Sequence, residues 1–222
     1  MIQVYYGDKF MSAEQRKAEI FPWATPLFNP TLTEFFENEL VSSLVMASTA
    51  DKIAVCSWAL RQKMTMRIPP RRELTPEVLQ DDFDVMSFTK NASDHDMLGA
   101  LEGWHPGSIE ILKLIFADLG FPMPKRPRFP IYQNAFCATR EVYREYVTSF
   151  LGPAMNLMTV NERLKVLCWQ DANYTRTTLN KPVDVDRIEK FLGVKYYTMH
   201  AFILERCFSL WIDDKNLKVV YL

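Results

Sequence analysis

Glycine and cysteine are scarce in this sequence of 222 residues, and each shortage excludes a class of site. The chain has seven glycines and no Gly-rich motif, which argues against a phosphate-binding loop. Its four cysteines are far apart in apolar segments, as buried free thiols usually are. No CxxC or Cys/His pair has the spacing of metal ligands, so neither a zinc site nor a disulfide framework is expected.

An excess of one charge and a long apolar run are also missing. Twenty-six Lys and Arg against 27 Asp and Glu leave a net charge of -1, so no overall field draws the chain onto nucleic acid or anionic lipid. No segment approaches the roughly 20 apolar residues that span a bilayer, and the N-terminus lacks a signal-peptide pattern. We therefore expect a cytoplasmic protein with no transmembrane segment and no nucleic-acid partner.

The chain is nevertheless rich in residues that form a core. Hydrophobic residues make up 48% of it and aromatic residues 13%, far above the content of disordered chains. A single hydrophobic core stops growing at about 250 to 300 residues, so a chain of this length fits within one. We therefore predict one folded domain over residues 1–222.

Short apolar runs and helical patterns alternate along the sequence. The run IQVYY at 2–6 is rich in β-branched and aromatic residues and predicts a strand. The segment 108–119 repeats apolar residues at helical spacing before Gly120, a C-terminal cap. This alternation predicts an α/β fold. The predicted strands cover 2–6, 52–60, 84–89, 130–138 and 217–222, and the predicted helices cover 32–48, 108–119, 140–158, 184–192 and 197–212.

The triplet Asp94-His95-Asp96 follows the predicted strand at 84–89. Open α/β sheets bind ligands at the carboxyl ends of their strands, so this position suits a site. Two carboxylates one residue apart can hold Mg²⁺ or Mn²⁺, which in turn neutralises a diphosphate leaving group. The alternative is an ordinary solvated loop, since charged side chains are mostly exposed.

Two further groups combine charge or titration with apolar neighbours. His105 lies in EGWHPGS, where an imidazole can act as an acid, a base or a phosphate contact. The alternative is a turn that hydrogen-bonds the ring. Glu205 and Arg206 lie inside the apolar helix predicted at 197–212, and burying an ion alone is costly. They form either part of a site or an ion pair that fixes the helix.

Four segments together resemble successive blocks of small glycosyltransferase-like proteins encoded in bacterial surface-polysaccharide loci. They are TLTEFFENELVSSLV, TADKIAVCSWALRQKM, PIYQNAFCATREVYREYVTSFLGPAM and HAFILERCFSLWI. The last two resemble the family most. The positions that match its pattern are Asn134, Tyr143, Tyr146, Val147, Phe202, Glu205, Arg206, Phe208 and Trp211.

The resemblance implies a single Rossmann-like, GT-A-like domain, with a central mixed and mostly parallel sheet flanked by helices. It implies a transferase for surface-polysaccharide synthesis that moves a sugar from a nucleotide-sugar donor to a glycan acceptor. In this assignment Asn134 and Arg206 bind the donor, and Glu205 or His105 aligns or deprotonates the acceptor hydroxyl. Asp94 and Asp96 hold Mg²⁺ or Mn²⁺ against the donor diphosphate.

Two features depart from the family pattern. The chain is shorter than most active members, and residues 90–93 separate the acidic triplet from the end of its strand. The alternative function is therefore a catalytically inactive, glycosyltransferase-like interaction protein, because a fold can persist after its activity is lost. Exposed aromatics such as Trp23, Phe28 and Trp104 would then meet a partner, and a stable oligomer would fit this alternative.

Overall fold

The computed structural model describes residues 1–6, 12–30, 33–66, 70–89, 96–132, 134–176 and 181–222. Its strands are β1 (Ile2–Tyr5), β2 (Thr25–Phe28), β3 (Lys52–Ile53), β4 (Val55–Ser57), β5 (Val85–Ser87), β6 (Phe136–Thr139) and β7 (Val219–Tyr221). Its helices are α1 (Ala13–Ala18), α2 (Asn38–Ala47), α3 (Leu60–Met66), α4 (Met97–Trp104), α5 (Ser108–Asp118), α6 (Arg140–Tyr146), α7 (Gly152–Val160), α8 (Glu162–Cys168), α9 (Val185–Leu192) and α10 (His200–Trp211). A π-helical segment, Val147–Leu151, joins α6 to α7.

The strands form two sheets that meet along one stretch of chain. The first has the order β2-β1-β4, and both of its pairs are parallel. The second has the order β3-β6-β5-β7, where β6 is antiparallel to β3 and β5 while β7 is parallel to β5. Ala54 alone separates β3 from β4, and its carbonyl accepts a hydrogen bond from Ile2 N at 2.8 Å. The fold is therefore α/β, as the sequence predicts, and its two sheets together contain parallel and antiparallel strand pairs.

This topology brings strand ends together at one edge of the sheet. The strands β1 and β4 are parallel neighbours, so their carboxyl ends, at Tyr5 and Ser57, lie side by side. From β1 the chain crosses first to β2 on one side and later to β4 on the other. Such a switch in strand order leaves a crevice outside the strand ends. The start of β6 lies at the same edge because that strand runs in the opposite direction.

The sheet has apolar side chains packed on both faces. Ile53 and Val55 belong to the larger apolar cluster, with α2, α5, α6 and α10, whereas Ala54 and Cys56 belong to a smaller one with α3. This alternation follows from the two-residue repeat of a strand. Because both faces are covered, the strands have continuous rather than alternating apolar residues. All four cysteines are buried and free, which confirms the sequence prediction.

Helix α10 passes through the larger cluster. Ile203, Cys207 and Trp211 recur at helical spacing and are buried in it. Glu205 and Arg206 follow each other on the same helix, and their side chains are 15% and 4% exposed. With 12 residues α10 is the longest helix of the described ranges, and none of those helices is long and apolar enough to cross a membrane.

The helix predicted at 32–48 begins six residues later than predicted. The helix begins at Asn38, with Glu37 as its N-cap residue. Phe36 adopts the left-handed conformation, with φ of 53°, which an α-helix excludes. A turn therefore replaces the first predicted helical turn, and it directs Phe36 and Glu37 toward the sheet edge.

Several short elements escape sequence analysis. The strand β2 lies in a proline-rich stretch and contains Pro26, which an edge strand tolerates because one of its sides has no ladder to complete. The helices α1, α3 and α4 have six, seven and eight residues, less than the window over which helical periodicity is visible. The strand predicted at 52–60 ends at Ser57, since α3 begins at Leu60.

Candidate functional site

A cleft with two chambers opens where β1 and β4 end. The inner chamber, of about 140 Å³, is lined by residues that follow these strands, such as Tyr6 and Trp58. The outer chamber, of about 540 Å³, extends toward His105 at the end of α4. The two chambers share a wall, formed by Lys63, Tyr174, Phe202 and Glu205.

Cationic and aromatic side chains dominate the inner chamber. Arg16 from α1 lies 4.1 Å from the ring centroid of Trp58 and 5.6 Å from that of Tyr6. Arg187 from α9 approaches the Tyr6 ring to 5.2 Å, and Lys181 also lines the chamber. Guanidinium groups near aromatic faces are held by cation–π attraction and still present N–H donors. The chamber therefore suits a ligand that combines phosphate with a flat ring.

Two of these groups stay protonated at neutral pH, although burial shifts their pKa values in opposite directions. Burial lowers the pKa of Arg16 to about 10, which leaves the guanidinium charged at pH 7. It raises the pKa of Tyr6 far above the ordinary phenol value, and the nearby Glu37 adds to this effect. Tyr6 therefore keeps its O–H and can donate a hydrogen bond to an anion.

Glu37 is a buried carboxyl group that sequence analysis misses. It is 5% exposed, lines the inner chamber, and directly follows the left-handed Phe36. Burial raises its pKa, and the negative charge of Glu205 adds to this effect while Lys63 opposes it. A carboxyl group with a raised pKa in a cleft is typical of functional sites, as is backbone strain beside it.

Replacing Glu37 by Gln is expected to stabilise the protein at neutral pH but not in acid. Because the folded-state pKa is raised, the favourable contribution of Glu37 is complete below the ordinary glutamate pKa. It is lost as the pH rises through the raised value, because the buried group must then ionise. An amide never ionises. Urea unfolding should therefore show that Glu37→Gln raises the free energy of unfolding, by an amount that grows from pH 4 to pH 8.

Glu39, exposed on the same helix, provides the matched control for this prediction. The difference in the free energy of unfolding between Glu37→Gln and Glu39→Gln, in favour of Glu37→Gln, should be larger at pH 8 than at pH 4. A constant difference between the two variants across this range would contradict a raised pKa at Glu37.

Asn134 lies behind the inner chamber. Its backbone is left-handed, with φ of 53°, and its side chain is buried. The Nδ2 atom donates to Asn38 Oδ1 at 3.1 Å, and Asn38 lines the chamber. Asn134 thus supports a lining residue, and direct donor binding by Asn134 stays a prediction.

Glu205 lies on the wall between the chambers, held by two cations. Its Oε1 is 3.8 Å from Lys63 Nζ, and its Oε2 is 3.3 Å from Arg206 Nη1. Since this carboxylate lines both chambers, it can contact a ligand in either. The position suits a group that accepts a proton between two bound molecules.

His105 and Arg206 both line the outer chamber, as does Glu205. The His105 ring stacks on Phe202 at a centroid distance of 4.0 Å, and its Nδ1 pairs with the carbonyl oxygen of Ala172. Arg206 lies 5.4 Å from the Tyr132 ring centroid. The structure therefore brings His105 beside the Glu205–Arg206 pair, two features that sequence analysis selects separately.

The acidic triplet is not part of this grouping as far as the structure describes it. Asp94 lies outside the described residues. Asp96 is the N-cap residue of α4, where its Oδ1 accepts a hydrogen bond from Gly99 N at 2.8 Å, and it lines a separate depression with Lys113. In the described ranges no group of three His, Cys, Asp or Glu side chains is placed to hold a metal ion. Metal binding by Asp94 and Asp96 stays a prediction.

The aromatics proposed for partner binding occupy different surroundings. Trp23 is half-buried and packs on Phe21, with ring centroids 5.2 Å apart. Phe28, at the end of β2, is 47% exposed and packs on Tyr5. Trp104 is 58% exposed and lines the outer chamber. Of the three, only Trp104 lines the cleft as described.

Comparisons of the chain with protein-family models, with curated proteins and with solved structures each give no match. The geometry of the cleft is therefore the basis for assigning a function.

Most residues of the inner chamber are absent from the sequence-based candidates. For Tyr6 a signal exists, since it ends the first predicted strand and ligands bind at strand ends. No such signal marks Arg16, Lys63 or Arg187. Each looks in the sequence like an ordinary charged residue, on a helix of six to eight residues. Only the packing of these helices against the sheet edge brings their charges together.

Proposed function

We propose that the protein is a glycosyltransferase of surface-polysaccharide synthesis, which moves a sugar from a nucleotide-sugar donor to a glycan acceptor. The observation that supports this most is the two-chamber cleft at the strand ends, with cations in the inner chamber and Glu205 on the shared wall. The parallel order β2-β1-β4 also supports a Rossmann-like, GT-A-like nucleotide-binding fold.

The inner chamber takes the diphosphate end of the donor in this proposal, because its volume of about 140 Å³ is too small for a whole nucleotide sugar. Arg16, Arg187 and Lys181 compensate the charge of the diphosphate, since guanidinium groups match phosphate oxygens with paired N–H donors. Phe36 and Tyr197, whose ring centroids are 5.5 Å apart, offer flat faces to a base or a sugar. The sugar of the donor then lies toward Glu205.

Transfer requires one bond to form and one to break. The acceptor hydroxyl oxygen bonds to the anomeric carbon, and the bond from that carbon to the phosphate oxygen breaks. The electron pair stays on the leaving nucleoside diphosphate, whose negative charge Arg16 and Arg187 stabilise. The hydroxyl proton passes to the carboxylate of Glu205, which lines both chambers.

A divalent cation can add charge compensation at the diphosphate when it is bound. Among the described residues the only carboxylate of the acidic triplet is Asp96, and one of its oxygens already caps α4. Among the residues that the structure describes no ligand set for a cation is formed, so each step above is assigned to protein side chains. The cation assigned to Asp94 and Asp96 therefore enters only as a variable of the binding experiment.

Calorimetric titration with UDP, GDP and dTDP, each with and without Mn²⁺, tests the donor site. At least one nucleotide should bind, and Arg187→Ala should weaken it about 10-fold to 100-fold. This range corresponds to the roughly 1.5–3 kcal/mol of a hydrogen bond to a charged group. The nucleotide that binds identifies the donor class.

Arg163 provides the matched control, because it is exposed and pairs with Glu110 on α5. Arg163→Ala should leave nucleotide affinity within about twofold, since a surface ion pair contributes little. Absence of heat with every nucleotide would remove the donor site, and an equal loss in both variants would assign the effect to general charge.

A further inference from the structure

We infer that the outer chamber binds the acceptor as an acidic glycan, with a sugar carboxylate held by the guanidinium of Arg206. The inference rests on the proposed function, because it assigns the second substrate of the same reaction. It adds the chemical class of that substrate, which the transfer reaction itself leaves open.

The hydrogen-bonding state of Arg206 is the first argument. Its side chain is 4% exposed and lines the outer chamber. Nη1 pairs with Glu205, but Nε is buried and has no hydrogen-bond partner among the described residues. Buried N–H donors are almost always paired in folded proteins, so an unpaired one beside a cavity indicates a ligand oxygen. A carboxylate suits a guanidinium because its two oxygens match neighbouring N–H groups.

The charge balance of the outer chamber is the second argument. Among the described residues that line it are the cations Lys63 and Arg206 and the carboxylate of Glu205. Glu205 lies within 4 Å of both Lys63 and Arg206, so one carboxylate serves two cations. A neutral sugar would leave this positive excess in place. An anionic sugar would reduce it, and opposite charge also favours encounter with the ligand.

The shape of the chamber fits a sugar ring. Its volume of about 540 Å³ lies within the range of roughly 300–1,000 Å³ found for small-molecule sites. Trp104 lines it and is 58% exposed, so its indole face is accessible to the apolar face of a pyranose. A ring placed between Trp104 and Arg206 lies in the outer chamber, next to the wall that the two chambers share. Glu205 is part of that wall.

Titration with methyl glucuronide and methyl glucoside, two sugars that differ in one carboxylate, tests the inference. Ligand-observed NMR on the full chain should show the glucuronide binding about tenfold tighter or more, a difference of about 1.4 kcal/mol. Arg206→Gln should abolish this preference, whereas Trp104→Ala should weaken both sugars and keep it. Arg72→Gln, which changes an exposed arginine paired with Asp81 away from the cleft, should change neither.

A second variant covers the case in which Arg206→Gln fails to fold. Arg176 is exposed at the same chamber, and Arg176→Gln should reduce the preference about threefold. Equal affinities for the two sugars, or binding of neither, would overturn the inference. So would a preference that survives in a folded Arg206→Gln.

Nucleotide titration on the same samples separates this inference from the proposed function. If a nucleotide binds and the glucuronide does not, the acidic acceptor is wrong while the transferase proposal stands. If neither binds, both fail. Competition between nucleotide and glucuronide would place the two ligands in one chamber and overturn the assignment of the outer one.

Discussion

Replacing Glu205 by Gln should lower the rate of sugar transfer about 10²-fold to 10⁴-fold, the usual contribution of a general base. The amide keeps the size of the side chain but cannot accept the hydroxyl proton. Donor affinity should change little by comparison, because the cations that hold the diphosphate come from other elements. Release of nucleoside diphosphate from the bound nucleotide sugar measures the rate, with water in place of the acceptor where no acceptor is known.

Glu110→Gln is the matched control for this rate measurement. Glu110 forms an exposed ion pair with Arg163 on α5 and α8, so its replacement should leave turnover unchanged. A rate within about threefold of the unmodified protein for Glu205→Gln would show that Glu205 is not the base. A large loss of nucleotide affinity in the same variant would instead make Glu205 a positioning residue for the donor.

Replacing Phe208 by Ala should destabilise the fold by about 3–5 kcal/mol, the usual cost of truncating a buried phenylalanine. Phe208 is 2% exposed and stacks on Phe136 of β6 with ring centroids 3.8 Å apart. It also meets the edge of Tyr146 at 4.9 Å. The truncation therefore removes contacts that join α10, α6 and the sheet at one point. Urea unfolding followed by far-UV circular dichroism measures the loss.

Phe191 on α9, which is 37% exposed, shows what the same change costs at the surface. Phe191→Ala should change the free energy of unfolding by about 0.5 kcal/mol or less. A Phe208→Ala value near that of Phe191→Ala would mean that the aromatic cluster does not hold α10 on the sheet.

Elements with a strong repeating pattern are predictable from the sequence. The helices α5 and α10 and the strands β1 and β5 appear close to their predicted positions, because each is long or apolar enough for its period to dominate. The left-handed Phe36 is not predictable in this way, since the surrounding segment has a good helical pattern and the tertiary contacts decide against it. Packing at the sheet edge thus overrides local preference.

The candidate site is predictable only in part for a related reason. Glu205 and Arg206 stand out because a charge pair is unusual inside an apolar helix. Their contact with Lys63 depends on where α3 lies beside α10, which no local pattern determines. Glu37 looks like an ordinary solvated glutamate in the sequence, and its burial follows from the turn at Phe36.

That turn constrains which residues can occupy position 36. Glycine would adopt the backbone conformation without steric cost, whereas a side chain there costs about 1–2 kcal/mol. Glycine would also remove the ring that faces Tyr197 and forms part of the chamber wall. Position 36 can therefore have either an unstrained backbone, with glycine, or a complete chamber wall, with an aromatic ring. The chain has phenylalanine there, and thus the complete wall.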